Sequence, residues 1–155
     1  MSTEELVVGE EVTMAQPLPL VFRKASAIYN QVESSSLAGN DPELQRQVAE
    51  GLALTHSAIQ QVVNLSIFSR NELLDDINSG DLKYLLLAFF RGELFLRVTE
   101  QDASKRMKLL QEGLAHLRGF LSDLHRVEAL SPEAREGWEL ATSGQAADPA
   151  STRNQ

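Results

Sequence analysis

The sequence contains no cysteine, few histidines and a deficit of positive charge, and each shortage argues against a class of function. Without cysteine there are no disulfides and no thiol nucleophile, and a zinc site would need histidine and carboxylate ligands alone. Three histidines are few for such a site. Because 14 Lys and Arg face 22 Asp and Glu, the net charge of -8 disfavours a surface built for nucleic acid or anionic lipid.

Long apolar runs are absent as well. Four glutamates stand within residues 4–11, where a secretory signal needs positive charge followed by an apolar stretch. Arg91 and Glu93 interrupt the longest apolar segment before it reaches the ~20 residues of a membrane span. We therefore expect a cytosolic or nuclear protein that does not enter a membrane, and of these locations we favour the cytoplasm.

What the chain does have is the composition of a single globular domain. It is 155 residues long, with 43% hydrophobic and 23% charged residues, so it is large enough for one real core. The acidic segment 1–16 and the tail 142–155 show no apolar periodicity, and we expect both to be disordered. The folded domain is then residues 17–141.

Apolar residues recur three and four apart through most of this domain, which predicts helices. The packed face of the first is predicted to consist of Leu18, Val21, Ala25, Ile28 and Val32. Asp41-Pro42 and Ser131-Pro132 are typical helix starts. No alternating pattern long enough for a strand occurs, so the sequence predicts an all-α bundle of antiparallel helices. The predicted helices cover about 18–35, 42–65, 80–98, 103–124 and 132–140.

The third predicted helix is apolar around most of its circumference, which is typical of a helix in the middle of a bundle. Leu86 and Phe90 are therefore both expected to be buried. The polar turn before it, with Asn78 or Ser79 as the cap, would satisfy the first free amides of the helix.

The fourth predicted helix is amphipathic, and Asp102 is its expected cap. One face is expected to pack on the bundle, and the opposite face carries Lys105, Lys108, Glu112 and Asp123. The packed face is predicted to consist of Met107, Leu110, Leu114, Leu117, Leu121 and Leu124. Trp138, in the last helix, either packs that helix onto the bundle, which we favour, or is exposed as a partner anchor.

No motif for catalysis or cofactor binding is evident, so we expect neither an enzyme nor a cofactor. There is no Gly-rich phosphate loop, nucleophile elbow or HExxH. The segment Asp76–Gly80 resembles the start of a calcium loop, but Leu87 stands where a bidentate Glu is needed, which favours a capping turn. His116 and His125 lie nearly opposite each other on one helix and cannot chelate one ion together.

A more specific pattern lies between residues 68 and 85. It consists of Phe68, Ser69, Arg70, Asn71 and Glu72, then Asp75, Asp76 and Ile77, and then Asp81, Leu82, Lys83, Tyr84 and Leu85. This segment, hereafter the signature segment, resembles the signature of the alpha-4/Tap family of type 2A phosphatase-associated proteins, also called immunoglobulin-binding protein 1-like. Ser104-Lys105-Arg106 is similar to the start of a family helix, and the resemblance runs from about Pro17 to Leu130.

The resemblance implies a non-enzymatic regulator that binds the catalytic subunits of type 2A-like Ser/Thr phosphatases, shields them from degradation in the manner of a chaperone, and acts in TOR signalling. It also implies an N-terminal helical domain likened to tetratricopeptide and 14-3-3 folds. We expect the chain to be a monomer.

The resemblance implies one partner-binding residue. Arg153 is similar to the first basic residue of a family segment resembling RQAKIxRxK, which pairs with acidic groups of the phosphatase. The chain ends before the Lys of that segment and before the charged C-terminal half of the family, so we interpret it as truncated and expect impaired phosphatase binding. The alternative is a generic helical scaffold that self-associates through exposed parts of its leucine-rich faces.

Overall fold

The chain folds into helices, and the computed structural model describes residues 16–69 and 72–143. Those ranges contain no strand, which confirms the all-α class, and no helix long and apolar enough to cross a membrane. The disorder predicted for residues 1–16 and 142–155 stays a prediction, because residues 1–15 and 144–155 lie outside these ranges. The helices are α1 (Leu18–Glu33), α2 (Pro42–Asn64), α3 (Leu86–Leu96), α4 (Ala103–Arg126) and α5 (Pro132–Thr142).

Three of the helices begin at side-chain caps that the sequence predicts. The Asp41 carboxylate accepts a hydrogen bond from the Glu43 amide at 2.8 Å, and that of Asp102 accepts one from the Lys105 amide at 3.0 Å. The Ser131 hydroxyl accepts one from the Ala134 amide at 3.2 Å. Because these caps satisfy amides that the helix itself leaves free, they fix the starts of α2, α4 and α5.

The first two helices form an antiparallel pair. The side-chain amide of Gln61, near the end of α2, donates to the carbonyl of Gln16, just before α1, at 3.0 Å. The apolar face predicted for α1 is buried in full: Leu18, Val21, Ala25, Ile28 and Val32. Helical periodicity therefore identified the packed side of this helix correctly.

Helix α3 is the centre of the bundle, as predicted, because α1, α2 and α4 all pack against it. Its buried line consists of Leu87, Phe90 and Leu94, and the ring of Phe90 stacks on that of Tyr29 with centroids 4.5 Å apart. Leu86 lies off this line and is 40% exposed. The prediction that it is buried is wrong, because the helices around α3 leave one of its sides open.

The entry to α3 also differs from the prediction. A 3-10 turn, Leu82–Leu85, precedes the α-helix. In this turn the backbone amide of Tyr84 donates a hydrogen bond to the Asp81 carbonyl at 3.0 Å. Asn78 does not cap the helix, since its side-chain oxygen accepts from the Gly80 amide at 2.9 Å. The polar turn thus closes on itself, and the 3-10 turn brings the backbone into α3 without a side-chain cap.

Helices α3 and α4 cross at two glycines. A Cβ atom on Gly92 would lie 2.9 Å from the carbonyl oxygen of Gly113, and one on Gly113 would lie 3.0 Å from that of Gly92. The two backbones can touch because neither residue has a side chain. This contact turns the Gly113 side of α4 toward α3 and leaves much of the predicted leucine face outside the core. The prediction that this face is packed is therefore wrong for Met107, Leu110, Leu114 and Leu121.

Candidate functional site

The signature segment is a series of short turns closed by its own polar side chains. The Glu72 carboxylate accepts a hydrogen bond from the Ser69 amide, and that of Asp76 accepts one from the Leu73 amide, both at 3.2 Å. A second 3-10 turn, Leu74–Asp76, follows Glu72 and ends at Asp76, before the entry to α3. These acids therefore hold the backbone in place and do not form a ligand cluster. Arg70 and Asn71, which belong to the same pattern, lie outside the described residues.

The segment is anchored to the far end of α4. The Leu74 amide donates to the Val127 carbonyl at 2.9 Å, and the Arg126 guanidinium donates to the Ser69 carbonyl at 3.0 Å. Beneath these bonds a small core of Ile77, Leu85 and Val127 packs with neighbouring residues of the segment and of α4. The partly buried members of this core are Phe68, Leu82, Leu124 and Ala129.

The end of the signature segment joins the main core. Tyr84 is buried and meets the ring of Phe22 edge-on, with centroids 5.4 Å apart. Its burial, aided by the nearby Asp81 carboxylate, raises the pKa of the phenol. The ammonium of Lys83 lies over the same two rings, 5.5 Å from the Phe22 centroid and 5.3 Å from that of Tyr84. These residues are thus mainly structural, and they fix one end of the groove described next.

Helices α2 and α4 flank α3 and leave a groove between them. The groove encloses about 410 Å³, within the range of ligand and side-chain pockets. Its floor is apolar, formed by Tyr84, Leu87 and neighbouring residues of the turn and of α3. Its wall on α2 includes Val63, which is 69% exposed and marks the opening to solvent. The shape and lining suit an apolar side chain from a partner.

Polar groups stand along the α4 wall of the groove. Burial raises the pKa of the Asp123 carboxyl, an effect opposed by Arg126, whose guanidinium lies 3.6 Å away. Burial lowers the pKa of His116, and the nearby positive charge of Arg91 lowers it further, while Glu112 at 3.9 Å acts in the opposite direction. A ligand in the groove would therefore meet an ion pair and a largely neutral imidazole at neutral pH.

Arg91 of α3 links α2 to α4 through side-chain contacts. Its guanidinium donates to the carbonyl of Leu52 and, at 3.3 Å, to the hydroxyl of Thr55 on α2. The guanidinium also lies over the ring of Phe95, 4.9 Å from its centroid. The imidazole of His116 on α4 stacks on the ring of Phe95, with centroids 5.6 Å apart. This connected set joins α2, α3 and α4, and so holds the two groove walls at a fixed separation.

The other histidines and the last helix are placed as follows. His56 is exposed on α2, and His125 bonds to the Glu139 carboxylate of α5 at 3.1 Å. The described ranges bring no three His, Asp or Glu residues together at a metal-binding distance. Trp138 is partly buried on α5, a helix without fully buried residues. Arg153, the predicted partner-binding residue, lies outside the described residues.

The groove itself was missed by sequence reasoning. Its walls come from two helices separated by the whole signature segment and α3, so no local pattern marks it. A usable signal was present in Val63, which adds apolar surface at the end of α2 outside its packed face and is 69% exposed.

Comparison with known proteins gives matches over most of the chain. A family model described as the TAP42-like family matches residues 18–155. The PP2A regulatory subunit TAP46 of Oryza sativa subsp. japonica is 34% identical over 128 residues, which cover 83% of this chain and 28% of that protein. Immunoglobulin-binding protein 1 family member C of Homo sapiens is 32% identical over 108 residues, covering 70% of this chain and 31% of that one.

A yeast relative extends the same pattern. The type 2A phosphatase-associated protein 42 of Saccharomyces cerevisiae is 29% identical over 126 residues, which cover 72% of this chain and 32% of the yeast protein. The chain thus spans less than a third of the length of each of these relatives.

Proposed function

Because the chain belongs to the TAP42-like family, we propose that it is a regulator that binds the catalytic subunit of type 2A-like Ser/Thr protein phosphatases. The observation that carries the proposal is the family match, which runs over residues 18–155 and takes in all five helices of the described residues. The names of the rice and yeast relatives, a PP2A regulatory subunit and a type 2A phosphatase-associated protein, support the same partner.

The proposed regulator has no catalytic activity of its own. Support comes from the names of the relatives, which describe a regulatory subunit and an associated protein. The polar groups of the groove point the same way, because Asp123 and Arg126 pair with each other and Arg126 also holds the signature segment. We further propose, following the resemblance, that the protein stabilises the catalytic subunit in the cytoplasm as part of TOR-type signalling.

Two surfaces are proposed to contact the phosphatase. The groove between α2 and α4 is suited to an apolar side chain of the catalytic subunit, with Val63 at its rim. Arg153, as the resemblance implies, would add a pairing with acidic groups of the phosphatase. Protein interfaces commonly combine an apolar side chain buried in a pocket with charged contacts at the edge of the interface.

The proposal is tested by calorimetric titration of this chain with a purified type 2A catalytic subunit. The rice relative named TAP46, of which the matched region covers 28%, is the positive control. Val63→Glu and Arg153→Ala separate the two surfaces, and Leu37→Glu, on an exposed apolar residue outside the groove, is the control.

Each outcome has a definite meaning. Loss of affinity in Val63→Glu with Leu37→Glu unchanged supports the groove as the contact, and a loss confined to Arg153→Ala assigns binding to the basic residue alone. If the rice protein binds and this chain does not, the proposed partner is wrong for this chain.

A further inference from the structure

Helix α4 presents an apolar stripe to solvent on a side that the groove does not use. Met107, Leu110, Leu114 and Leu121 are each between 37% and 57% exposed. At 3.6 residues per turn these four side chains fall within about 60° of one another. In the whole 24-residue helix the one fully buried residue is Gly113, so the stripe is the main apolar feature of α4 that the bundle leaves uncovered.

The charge on α4 is opposite in sign to that of the protein. The helix carries five Lys and Arg against two Asp and Glu, in a chain whose formal net charge is -8. Arg106 and Arg118 flank the stripe, one on each side, by about 20–40° of helical rotation. Neither forms an ion pair within the described ranges, where Arg126 is the one Lys or Arg of α4 that does so.

From this arrangement we propose that the stripe docks a partner helix of about four turns whose apolar face is bordered by Asp and Glu. The distance from Met107 to Leu121 along the helix axis is about 21 Å, which sets the length of the partner. Apolar side chains three and four residues apart would pack on the stripe, and flanking carboxylates would pair with Arg106 and Arg118. This surface is separate from the groove, and the inference does not depend on phosphatase binding.

Charge distinguishes this partner from a second copy of the chain. Two copies joined through their stripes would place four arginines around one interface, and like charges at an interface disfavour association. The stripe also offers only a few hundred Å² of apolar surface, against roughly 800 Å² per partner in a standard stable interface. A short acidic helix needs less area and turns the flanking charges into attraction.

Charge and side-chain type also disfavour a lipid surface. The stripe has no aromatic residue, whereas helices that lie in a membrane interface commonly carry Trp or Phe on their apolar face. The remaining charge of the protein is strongly negative and would repel an anionic bilayer.

The test uses the full chain and a synthetic peptide of 18 residues with Leu spaced three and four apart and Glu on both sides of the Leu face. Fluorescence anisotropy should show binding that weakens as salt is raised, and a peptide with Lys in place of Glu should bind at least about tenfold less tightly. The double variant Arg106→Glu with Arg118→Glu should reverse this preference, whereas Arg23→Glu, on the exposed side of α1, should not.

The apolar half of the inference has its own variant. Leu114→Ser should weaken peptide binding about fivefold to tenfold while the far-ultraviolet circular dichroism and melting temperature stay close to those of the parent. Leu37→Ser is the matched control, because Leu37 is 42% exposed and Leu114 is 47% exposed.

Five results would overturn the proposal. One is the absence of detectable binding by the Glu peptide, and another is equal binding by the Glu and Lys peptides. A third is stripe-dependent binding to phosphatidylserine vesicles, and a fourth is dimerisation in sedimentation equilibrium that Leu114→Ser abolishes. The fifth is a gain in peptide affinity when the glutamates of residues 4–11 are replaced by glutamine, which would assign the surface to the chain's own N-terminal segment.

Discussion

Gly92 of α3 and Gly113 of α4 pack backbone to backbone, so close that a Cβ on either residue would lie within 3.0 Å of the carbonyl oxygen of the other. A backbone atom cannot move aside as a flexible side chain can. Gly92→Ala should therefore push the helices apart and lower the free energy of unfolding by about 1–3 kcal/mol, even though alanine favours helix more than glycine does. Urea unfolding measures the effect.

The control for this prediction lies on α4, the other helix of the pair. A Cβ on Gly119 would have no neighbour within 4 Å, so Gly119→Ala should stabilise the protein by up to about 1 kcal/mol through helix propensity alone. Equal effects of the two substitutions would show that the helices do not cross at the glycines.

Phe90 and Leu86 should respond very differently to a negative charge. Phe90 is 7% exposed and stacks on Tyr29, so Phe90→Asp buries an unpaired carboxylate and should cost on the order of 3–5 kcal/mol. Leu86→Asp, on the open side of the same helix, should cost less than about 1 kcal/mol. Thermal unfolding followed by circular dichroism compares them, and a large loss in both variants would show that Leu86 is also in the core.

His116 should make the domain less stable in mild acid. Burial and the charge of Arg91 lower the pKa of this histidine in the folded state, so the unfolded chain takes up the proton first. The contribution of His116 to the free energy of unfolding is therefore fully present above the unfolded-state pKa of about 6.5. It is lost as the pH falls from there through the lower pKa of the folded state. The difference in unfolding free energy between pH 7.5 and pH 5 should be smaller in His116→Gln than in the parent.

A histidine on the surface provides the comparison for that prediction. The same measurement on His56→Gln, at an exposed position of α2, gives the effect of replacing a histidine outside the groove. If His116→Gln kept the pH dependence of the parent, the acid sensitivity would come from other groups.

Arg153→Ala should leave stability unchanged and affect partner binding alone. The sequence predicts that the tail 142–155 is disordered, and a single substitution in such a segment changes the unfolding free energy by less than about 0.5 kcal/mol. Differential scanning calorimetry checks this, and a clear fall in melting temperature would mean that Arg153 packs on the bundle.

Local periodicity predicted best where one helix face meets one neighbour. All five apolar residues predicted for α1 are buried, because this helix packs with one continuous side. The same reasoning failed for α4, where hydrophobicity located an apolar face but the glycine contact at Gly113 chose a different side for packing. Sequence patterns carry no information on how closely two helices approach, and that distance decided the result.

The site shows a similar division. Family resemblance identified the signature segment, yet the roles of Glu72 and Asp76 as closers of turns depend on hydrogen bonds to nearby amides that a sequence does not display. The groove required the positions of three helices at once, since its walls belong to α2 and α4 and its floor to the region around Tyr84 and α3.

The hydrogen bond from Arg126 to the Ser69 carbonyl joins residues 57 positions apart in the chain. During synthesis this separation delays the formation of the bond. A ribosome adding roughly 5–20 residues per second needs several seconds to pass from one partner to the other. During that interval Ile77 and Leu85 have left the ribosome ahead of Val127, the residue that later covers them. In the nascent chain the signature segment therefore exposes apolar side chains to chaperones until Val127, directly after α4, has left the ribosome.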